Sequence, residues 1–406
     1  MIDIKKIVRD FSIYQNHYQD INLDTISHTE LPSIDKAFVI KDFPARWSND
    51  FLQLGIKNNA VEYITTSGTT GEAMQIIRKA NWWKDEYARI SAYHPFLHEL
   101  YFKNKRKAVL TTAICSNTVC YRDNPSLEKR IKENTLYLNY HADMNKLTID
   151  NVKRIIDEYN DFAPYNLDAD PIYLAILLKL KNQYEITTTL HQPNFISFSY
   201  EFCPINCYNY IKQFFHVPIM QMYGLTELGY IYFRVDQDLY QPFADKLQLQ
   251  FEPIQGLDDC FELIVTSIKN EYMPFINYKT GDIVVIDAKN QHQIKSNPSA
   301  IRINGIAGRK KNIVTSKKQN EKFCTLHLDK YIADTTSKIL YYKIEISDTQ
   351  VFFQYVTNTD LNLDHSECEL LKAGFYSLFN IDDITLCRRS SILPEFSGKY
   401  TLLKGA

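Results

Sequence analysis

From residue 170 to residue 222 the chain alternates helix and buried strand, and that alternation limits its fold more than any other feature. Asp170-Pro171 is a helix start, with an N-cap acid and a proline at the first helical position, and it leads into the apolar run Ile172 to Leu180. Ile196 to Phe198 and Ile219 to Met222 read as short buried strands flanking a helix from about Ile205 to Phe215. Alternation of this kind indicates an α/β body. Val61 to Ile64, Ala108 to Cys115 and Phe261 to Ile268 add strands, and Asp282 to Asp287 adds another after a glycine turn at Gly281. Lys79 to Tyr93 has helical periodicity, with Trp82, Trp83, Tyr87, Ile90 and Tyr93 as its apolar positions. The first 60 residues form a helical, loop-rich lead-in, in which Leu31-Pro32-Ser33-Ile34-Asp35-Lys36 starts a new element.

Beyond Arg309 the texture changes. Lys310 to Lys322 is polar and lysine-rich, in the manner of a linker or mobile loop. Strands Ile339 to Ser347 and Gln350 to Thr357 follow, then a helix from about Ser366 to Phe379 and a strand from Ile384. Those elements suffice for a small α+β domain, and 406 residues suit two or three domains in all.

Charge excludes some function classes. Forty-six basic against 48 acidic residues give a formal net charge of −2, which offers no field for nucleic acid or an anionic membrane. Met1 to Asp20 lacks the apolar core of a secretory signal, and the greasy run Ile172 to Leu180 already contains Lys179, far short of a membrane span. Eight cysteines at uneven spacings read as reduced thiols of a cytoplasmic protein. Cys203 and Cys207 stand four apart, but no second Cys/His pair at metal-site spacing accompanies them, so no zinc is expected.

Five stretches carry chemistry. Thr65-Thr66-Ser67-Gly68-Thr69-Thr70-Gly71 packs four threonines, one serine and two glycines into a loop after a strand. Its N–H groups and hydroxyls suit a phosphate, although it lacks the Walker spacing and also reads as a polar turn capping a helix. Tyr223-Gly224-Leu225-Thr226-Glu227 follows a buried strand; the tyrosine can stack on a flat base and Glu227 can hold a divalent cation. Tyr278-Lys279-Thr280-Gly281-Asp282 sets a carboxylate where two ribose hydroxyls could reach it. Gly308-Arg309 stands at the change of texture, and Ser397-Gly398-Lys399 presents one lysine on a tight loop. Each alone is also ordinary turn chemistry or solvated surface. Their order and spacing together are not.

In that order the five stretches resemble the core motifs of the adenylate-forming superfamily of acyl- and aryl-CoA ligases, peptide-synthetase adenylation domains and luciferases. Leu31 to Lys36, and Phe261 to Thr266 leading into Tyr278 to Asp282, are most similar to its phenylacetate–CoA ligase-like branch. The resemblance runs from about residue 31 to 400. It implies a large N-terminal body of mixed sheets and helices over 1–308, a hinge over 309–322 including Lys311, and a small mobile α+β C-terminal lid over 323–406. It further implies that Thr66, Ser67, Gly68, Thr69, Thr70 and Gly71 close over the ATP phosphates. Tyr223 and Gly224 would lie at adenine, Thr226 at the α-phosphate, Glu227 at Mg²⁺ and Asp282 at the ribose, with Arg309 assisting there or at phosphate. Lys399 would bridge the acid and the α-phosphate region during adenylation.

Three departures bear on the second half-reaction and on metal. The phosphate loop continues Glu72-Ala73 where relatives have Lys-Pro. Thr315 to Asn320 replaces the glycine-containing loop that lines the thiol tunnel, and Leu228 to Arg234 lacks the Cys and His that some relatives give to zinc. The acid pocket is expected near Phe195, Ser199 and Tyr200, with Ala113 on another wall, and these aromatics favour a flat aromatic or other bulky acid over acetate. His94 and His98 read as exposed or capping residues.

The resulting expectation is a cytoplasmic, ATP- and Mg²⁺-dependent ligase, monomer or homodimer, that activates a carboxylic acid as the acyl-AMP. CoA is the default acceptor, an acyl carrier protein with phosphopantetheine the second, and an amine the third. The rival is a non-catalytic protein that binds nucleotide or acyl-adenylate.

Overall fold

A computed structural model describes residues 3–66, 73–111, 125–138, 141, 143–316, 321–395 and 398–405. The chain forms two compact units. The first comprises Met1–Tyr93, Tyr223–Phe233 and Leu239–Gly305; the second comprises His94–Met222, Arg234–Asp238 and Ile306–Ala406.

In the first unit the antiparallel strands Leu247–Ile254, Leu257–Ser267 and Phe275–Val285 make the main sheet. Leu247, Leu249 and Phe251 alternate with less buried residues, the period-2 pattern of a sheet with one covered face. The lead-in is tied to this sheet by specific bonds. The Tyr14 hydroxyl donates to the Pro274 carbonyl at 2.8 Å and accepts the Ile276 N–H at 3.1 Å, and Trp47, fully enclosed, meets the Phe11, Tyr14 and Phe275 rings. Ile34 bridges Tyr278, and Asp35 caps the helix Lys36–Ile40 by accepting the Phe38 N–H.

Two expectations need correction here. The helix does not begin at Lys79: Gln75–Lys79 is a strand, paired in antiparallel register with Val61–Thr65, and the helix runs from Trp82 to Ile90. Pairing with a neighbour overrides the local helical pattern. Nor does Gly281 make a turn. Phe275–Val285 runs straight through it, and its φ of +71° is absorbed where the register against Leu257–Ser267 shifts.

The second unit is built on parallel strands. Thr135–Tyr137, Lys107–Leu110, Asn166–Ala169, Phe195–Phe198 and the start of Ile219–Leu225 pair in that order. Helices Ile149–Phe162, Pro171–Gln183 and Ile205–Lys212 connect or cover them. Every residue from Pro171 to Leu180 is buried, which explains an apolar run with no polar stripe. Of the expected strand Ala108 to Cys115, the part from residue 112 onward lies outside the described residues.

The same unit contains the C-terminal α+β elements. Asp383–Arg388, Gln350–Thr357, Ile339–Ile346 and Leu403–Gly405 form one sheet, with helices Thr325–Thr335 and His365–Phe379. A single apolar core runs from Ala108 through Ile211 to Phe353 and Leu403. Polar bonds reinforce it: the Ile205 N–H donates to Asp329 at 2.9 Å, and the Asn206 amide donates to the Thr336 carbonyl at 2.7 Å. Of the lysine-rich stretch, the described residues form a single turn Lys310–Asn312 and a short strand Val314–Thr315 paired to Lys322–Phe323. Among the described residues no helix is long and apolar enough to cross a membrane.

Candidate active site

The predicted residues fall into two groups, one in each unit. In the first unit, the chain leaves the strand Ile219–Leu225, turns through Thr226, Glu227 and Leu228, and returns along Gly229–Val235. The Tyr223 hydroxyl donates to Asp282 Oδ2 at 2.7 Å, and the Tyr278 hydroxyl donates to Glu227 Oε1 at 3.0 Å. Two motifs some 50 residues apart are thereby cross-linked twice, and both carboxylates, Asp282 and Glu227, are buried. The Asp282 N–H donates to Thr280 Oγ1, whose hydroxyl donates to the Leu263 carbonyl, so Asp282 is fixed from its backbone as well. Thr226 is half-buried in the turn.

Gly224 is required by close approach. A Cβ there would lie 2.5 Å from the Gly229 carbonyl oxygen across the turn. Of the phosphate loop, Thr66 is described: its N–H donates to the Met74 carbonyl at 2.8 Å, and its Oγ1 accepts the Met74 N–H at 3.1 Å. The loop's two stems are therefore pinned together. Ser67, Gly68, Thr69, Thr70, Gly71 and Glu72 lie outside the described residues, as does Ala113.

A buried ionic cluster that the sequence did not reveal supports the 226–228 turn. Glu86 Oε1 accepts the Tyr230 N–H at 2.8 Å, while Lys269 and Arg89 donate to the Tyr230 carbonyl at 2.6 and 3.1 Å. Lys269 and Arg89 also pair with Glu86, at 3.1 and 2.7 Å. Burial works against the Glu86 carboxylate, but hydrogen bonding from Arg89 and the Lys269 charge outweigh it and hold the group below its ordinary range. Burial pushes the Lys269 ammonium down to about 8 despite Glu86.

In the second unit, Lys399 follows Gly398, whose φ is +80°. The loop closes on itself through Glu395 N–H to Lys399 O and Gly398 N–H to Glu395 O, both 2.8 Å. It is seated by Tyr173, whose hydroxyl donates to the Gly398 carbonyl at 3.4 Å, and by Glu201 Oε2, which accepts the Tyr400 N–H at 2.8 Å. The Lys399 charge acts on both Asp170 and Glu201. Arg309 ends the strand Gly305–Arg309 and Lys311 sits in the turn Lys310–Asn312. Gly308, φ +101°, would drive a Cβ to 2.7 Å from Thr325 Oγ1.

Of the expected pocket residues, Phe195, Ser199 and Tyr200 are described. Phe195 is fully enclosed, its ring stacked on Phe96 at 4.9 Å and edge-on to Tyr165. Tyr200 and Ser199 are half-buried, and the Tyr200 hydroxyl donates to Asp168 Oδ2 at 2.9 Å. Asp168 also accepts from Ser197 at 3.0 Å and pairs with Lys107 at 3.6 Å. His94 is a cap, accepting the Phe96 N–H on Nδ1.

No protein-family model and no curated protein sequence matches this chain. Solved structures do. 2-Hydroxyisobutyryl-CoA ligase in the postadenylation state, in complex with R3-HIB-AMP, is similar with a TM-score of 0.66 at 11% identity, over 98% of this chain and 86% of that one. The anthranilate CoA ligase AuaEII, in complex with anthranoyl-AMP, gives 0.56 at 10% identity over 84% and 65% of the two chains. O-succinylbenzoate coenzyme A synthetase (MenE) from Bacillus subtilis, with ATP and magnesium ion, gives 0.50 at 13% identity over 84% and 68%.

The chain has the acid–CoA ligase fold. The expected architecture of mixed α/β body and small C-terminal α+β part is thus the one found. Within an acid–CoA ligase fold, Tyr223 is bonded to Asp282 and Tyr278 to Glu227, and the Lys399 charge acts on Asp170 and Glu201. Glu86, Lys269 and Glu201 were missed because their partners are remote in sequence: Lys269 lies 183 residues from Glu86, and Tyr400 lies 199 from Glu201.

Proposed function

We propose that this protein is an ATP- and Mg²⁺-dependent ligase that activates a carboxylic acid as its acyl-AMP and passes the acyl group to a thiol. The observation that carries the reading is the pair of hydrogen bonds joining Tyr223 to Asp282 and Glu227 to Tyr278. An aromatic face and a ribose-type acceptor are held together, with a buried carboxylate one turn away. That is the chemistry a nucleotide with a metal-bound phosphate tail requires.

In the reaction, an oxygen of the acid attacks the α-phosphorus of ATP, the bond to the β-phosphate oxygen breaks, and pyrophosphate leaves. Two anions must meet, so the barrier is largely electrostatic. Lys399 would bring its ammonium to the carboxylate and α-phosphate oxygens, and Asp282 with Arg309 would hold the ribose. The Thr66 stem would close the phosphate loop. Glu227 fits Mg²⁺: it is a hard oxygen donor oriented by the Tyr278 hydroxyl, and this ion is commonly held by one or two carboxylates plus substrate phosphates. When bound, the ion would supply positive charge to the phosphates.

The solved relatives with R3-HIB-AMP, anthranoyl-AMP, or ATP and magnesium ion support this reading. CoA is the default acceptor and a carrier-protein phosphopantetheine the second. Division of labour between a body over 1–308 and a lid over 323–406, turning about Lys311, belongs to the same proposal. So do an aromatic acid and kinship with the phenylacetate–CoA ligase-like branch. Two of the relatives are named for anthranilate and O-succinylbenzoate, one for an aliphatic hydroxy acid.

The test is ATP–pyrophosphate exchange without acceptor, across benzoic, phenylacetic, cinnamic, heteroaromatic, short hydroxy and fatty acids. Exchange stimulated by one acid class supports the proposal and names the substrate. No exchange across the panel, with ATP binding intact by calorimetry, overturns it in favour of a nucleotide-binding protein.

A further inference from the structure

The seat of the Lys399 segment contains two carboxyl groups that the proposed chemistry does not use. Asp170 caps the helix Pro171–Gln183; it is fully buried, and its Oδ1 accepts the Tyr173 N–H at 3.4 Å. Glu201 is half-buried, and its Oε2 accepts the Tyr400 N–H. The remaining oxygens, Asp170 Oδ2 and Glu201 Oε1, are enclosed and meet no donor among the described residues. The two side chains lie within hydrogen-bonding reach of each other. Two enclosed carboxylate oxygens in contact cannot both stay charged cheaply, whereas one proton between them satisfies both.

We propose that Asp170 and Glu201 share a single proton between Oδ2 and Oε1, and that this pair is the positioning device for Lys399. The inference rests on the reading of Lys399 as the adenylation lysine. Each half of the pair holds one end of the seat. Asp170 begins the helix that carries Tyr173, which donates to the Gly398 carbonyl; Glu201 accepts from Tyr400. Lys399 is thus bracketed by two anchored neighbours.

The surroundings favour the singly protonated state. Burial raises both carboxyls above their ordinary range; the Asp170 charge and the bond to Asp170 raise Glu201 further, the bond to Glu201 lowers Asp170, and the N–H groups of the segment and helix and the Lys399 charge pull both down. The other titratable groups facing the pair are uncharged at neutral pH. They are Tyr400 and, from the helix Ile205–Lys212, Cys207, both pushed up by burial. Loss of the shared proton places two negative charges in contact. Glu201 is then driven away from Asp170 and Tyr400 loses its acceptor.

The experiment is hydrogen exchange of the peptide spanning 398–405 in the full-length protein without substrate, from pH about 5 to about 9 after correction for intrinsic rates. Wild type should be protected at the acid end and lose at least about tenfold of that protection at the alkaline end. Glu201→Gln, whose amide donates to Asp170 while its oxygen still accepts from Tyr400, should stay protected across the range. Glu201→Ala should be unprotected throughout. Protection of wild type that is flat with pH, or Glu201→Gln following the wild-type profile, overturns the proposal even if Glu201→Ala fails to fold. In pyrophosphate exchange, Glu201→Ala should lower kcat at least about tenfold and shift the KM for ATP by less than about twofold. Wild type without exchange activity would remove the adenylation reading, while the hydrogen-exchange profile would still decide whether the pair seats the segment.

Discussion

The Tyr223 hydroxyl donates to Asp282 Oδ2 across 2.7 Å, and this bond ties the end of one strand to the middle of another 59 residues later. Tyr223 therefore has two tasks in the proposed site: its ring face offers a stacking surface and its hydroxyl fixes the carboxylate assigned to ribose. Tyr223→Phe separates them. The ring stays and Asp282 loses its donor, so the KM for ATP should rise about 5- to 30-fold, while kcat falls less. Asp282→Ala removes the ribose acceptor itself and should cost more. Equal ATP affinity in Tyr223→Phe and wild type, measured by calorimetry, would show that the bond is irrelevant to nucleotide.

Lys399→Ala distinguishes an enzyme from a binding protein. An ammonium that acts only when two anions converge contributes little to the ground state. Adenylation should fall by about 10²- to 10³-fold, with ATP affinity within about twofold of wild type. A parallel loss of affinity would place Lys399 at ground-state binding instead.

The cluster Glu86–Lys269–Arg89 makes a different prediction. Lys269→Met leaves Glu86 buried with one cation fewer and removes the 2.6 Å bond to the Tyr230 carbonyl. Breaking a buried pair by deleting one partner costs about 3–5 kcal/mol, read by denaturant unfolding. Because Tyr230 follows the 226–228 turn, the folded fraction should also bind Mg–ATP more weakly. The double change Glu86→Leu with Lys269→Met should recover part of the stability but not the affinity, since the Tyr230 N–H loses its Glu86 acceptor and its carbonyl loses the shorter of its two bonds, keeping the 3.1 Å bond from Arg89.

Much of the fold was legible in the chain because its signals were local. Asp170-Pro171 announced its helix through cap chemistry, and the buried strands 196–198 and 219–222 announced themselves through apolar runs bounded by turns. Errors arose where a neighbour decided. Gln75–Lys79 is a strand because Val61–Thr65 lies beside it, and Phe275–Val285 passes Gly281 because a register shift takes up the positive φ. Leu403–Gly405 escaped notice because three residues have no period, yet it pairs in parallel with Ile339–Ile346. For the site the division is similar. Tyr223, Glu227, Asp282 and Lys399 stood in motifs, whereas Glu86, Lys269 and Glu201 matter through partners more than 140 residues away.

Asp329 provides a pH-dependent prediction independent of the proposed reaction. It lies in the helix Thr325–Thr335, almost fully buried, with Oδ2 accepting the Ile205 N–H and Oδ1 accepting the Tyr342 hydroxyl, both at 2.9 Å. Burial raises its carboxyl from 3.8 to about 7, with those two hydrogen bonds pulling the other way. The folded state therefore binds a proton that the unfolded chain has already released above about pH 4. The associated stability is fully present below about pH 4 and is lost as pH rises through about 7, with a span on the order of 4 kcal/mol. Asp329→Asn keeps an acceptor for Ile205 and removes the titration. The difference in unfolding free energy between variant and wild type should consequently grow in favour of the variant from pH about 4 to about 7 and level off above. A constant difference across that window would mean that the hydrogen bonds from Ile205 and Tyr342 already stabilise the charged form against burial. In that case Asp329 joins the 205–212 helix to the C-terminal elements as a carboxylate at every pH at which the protein is folded.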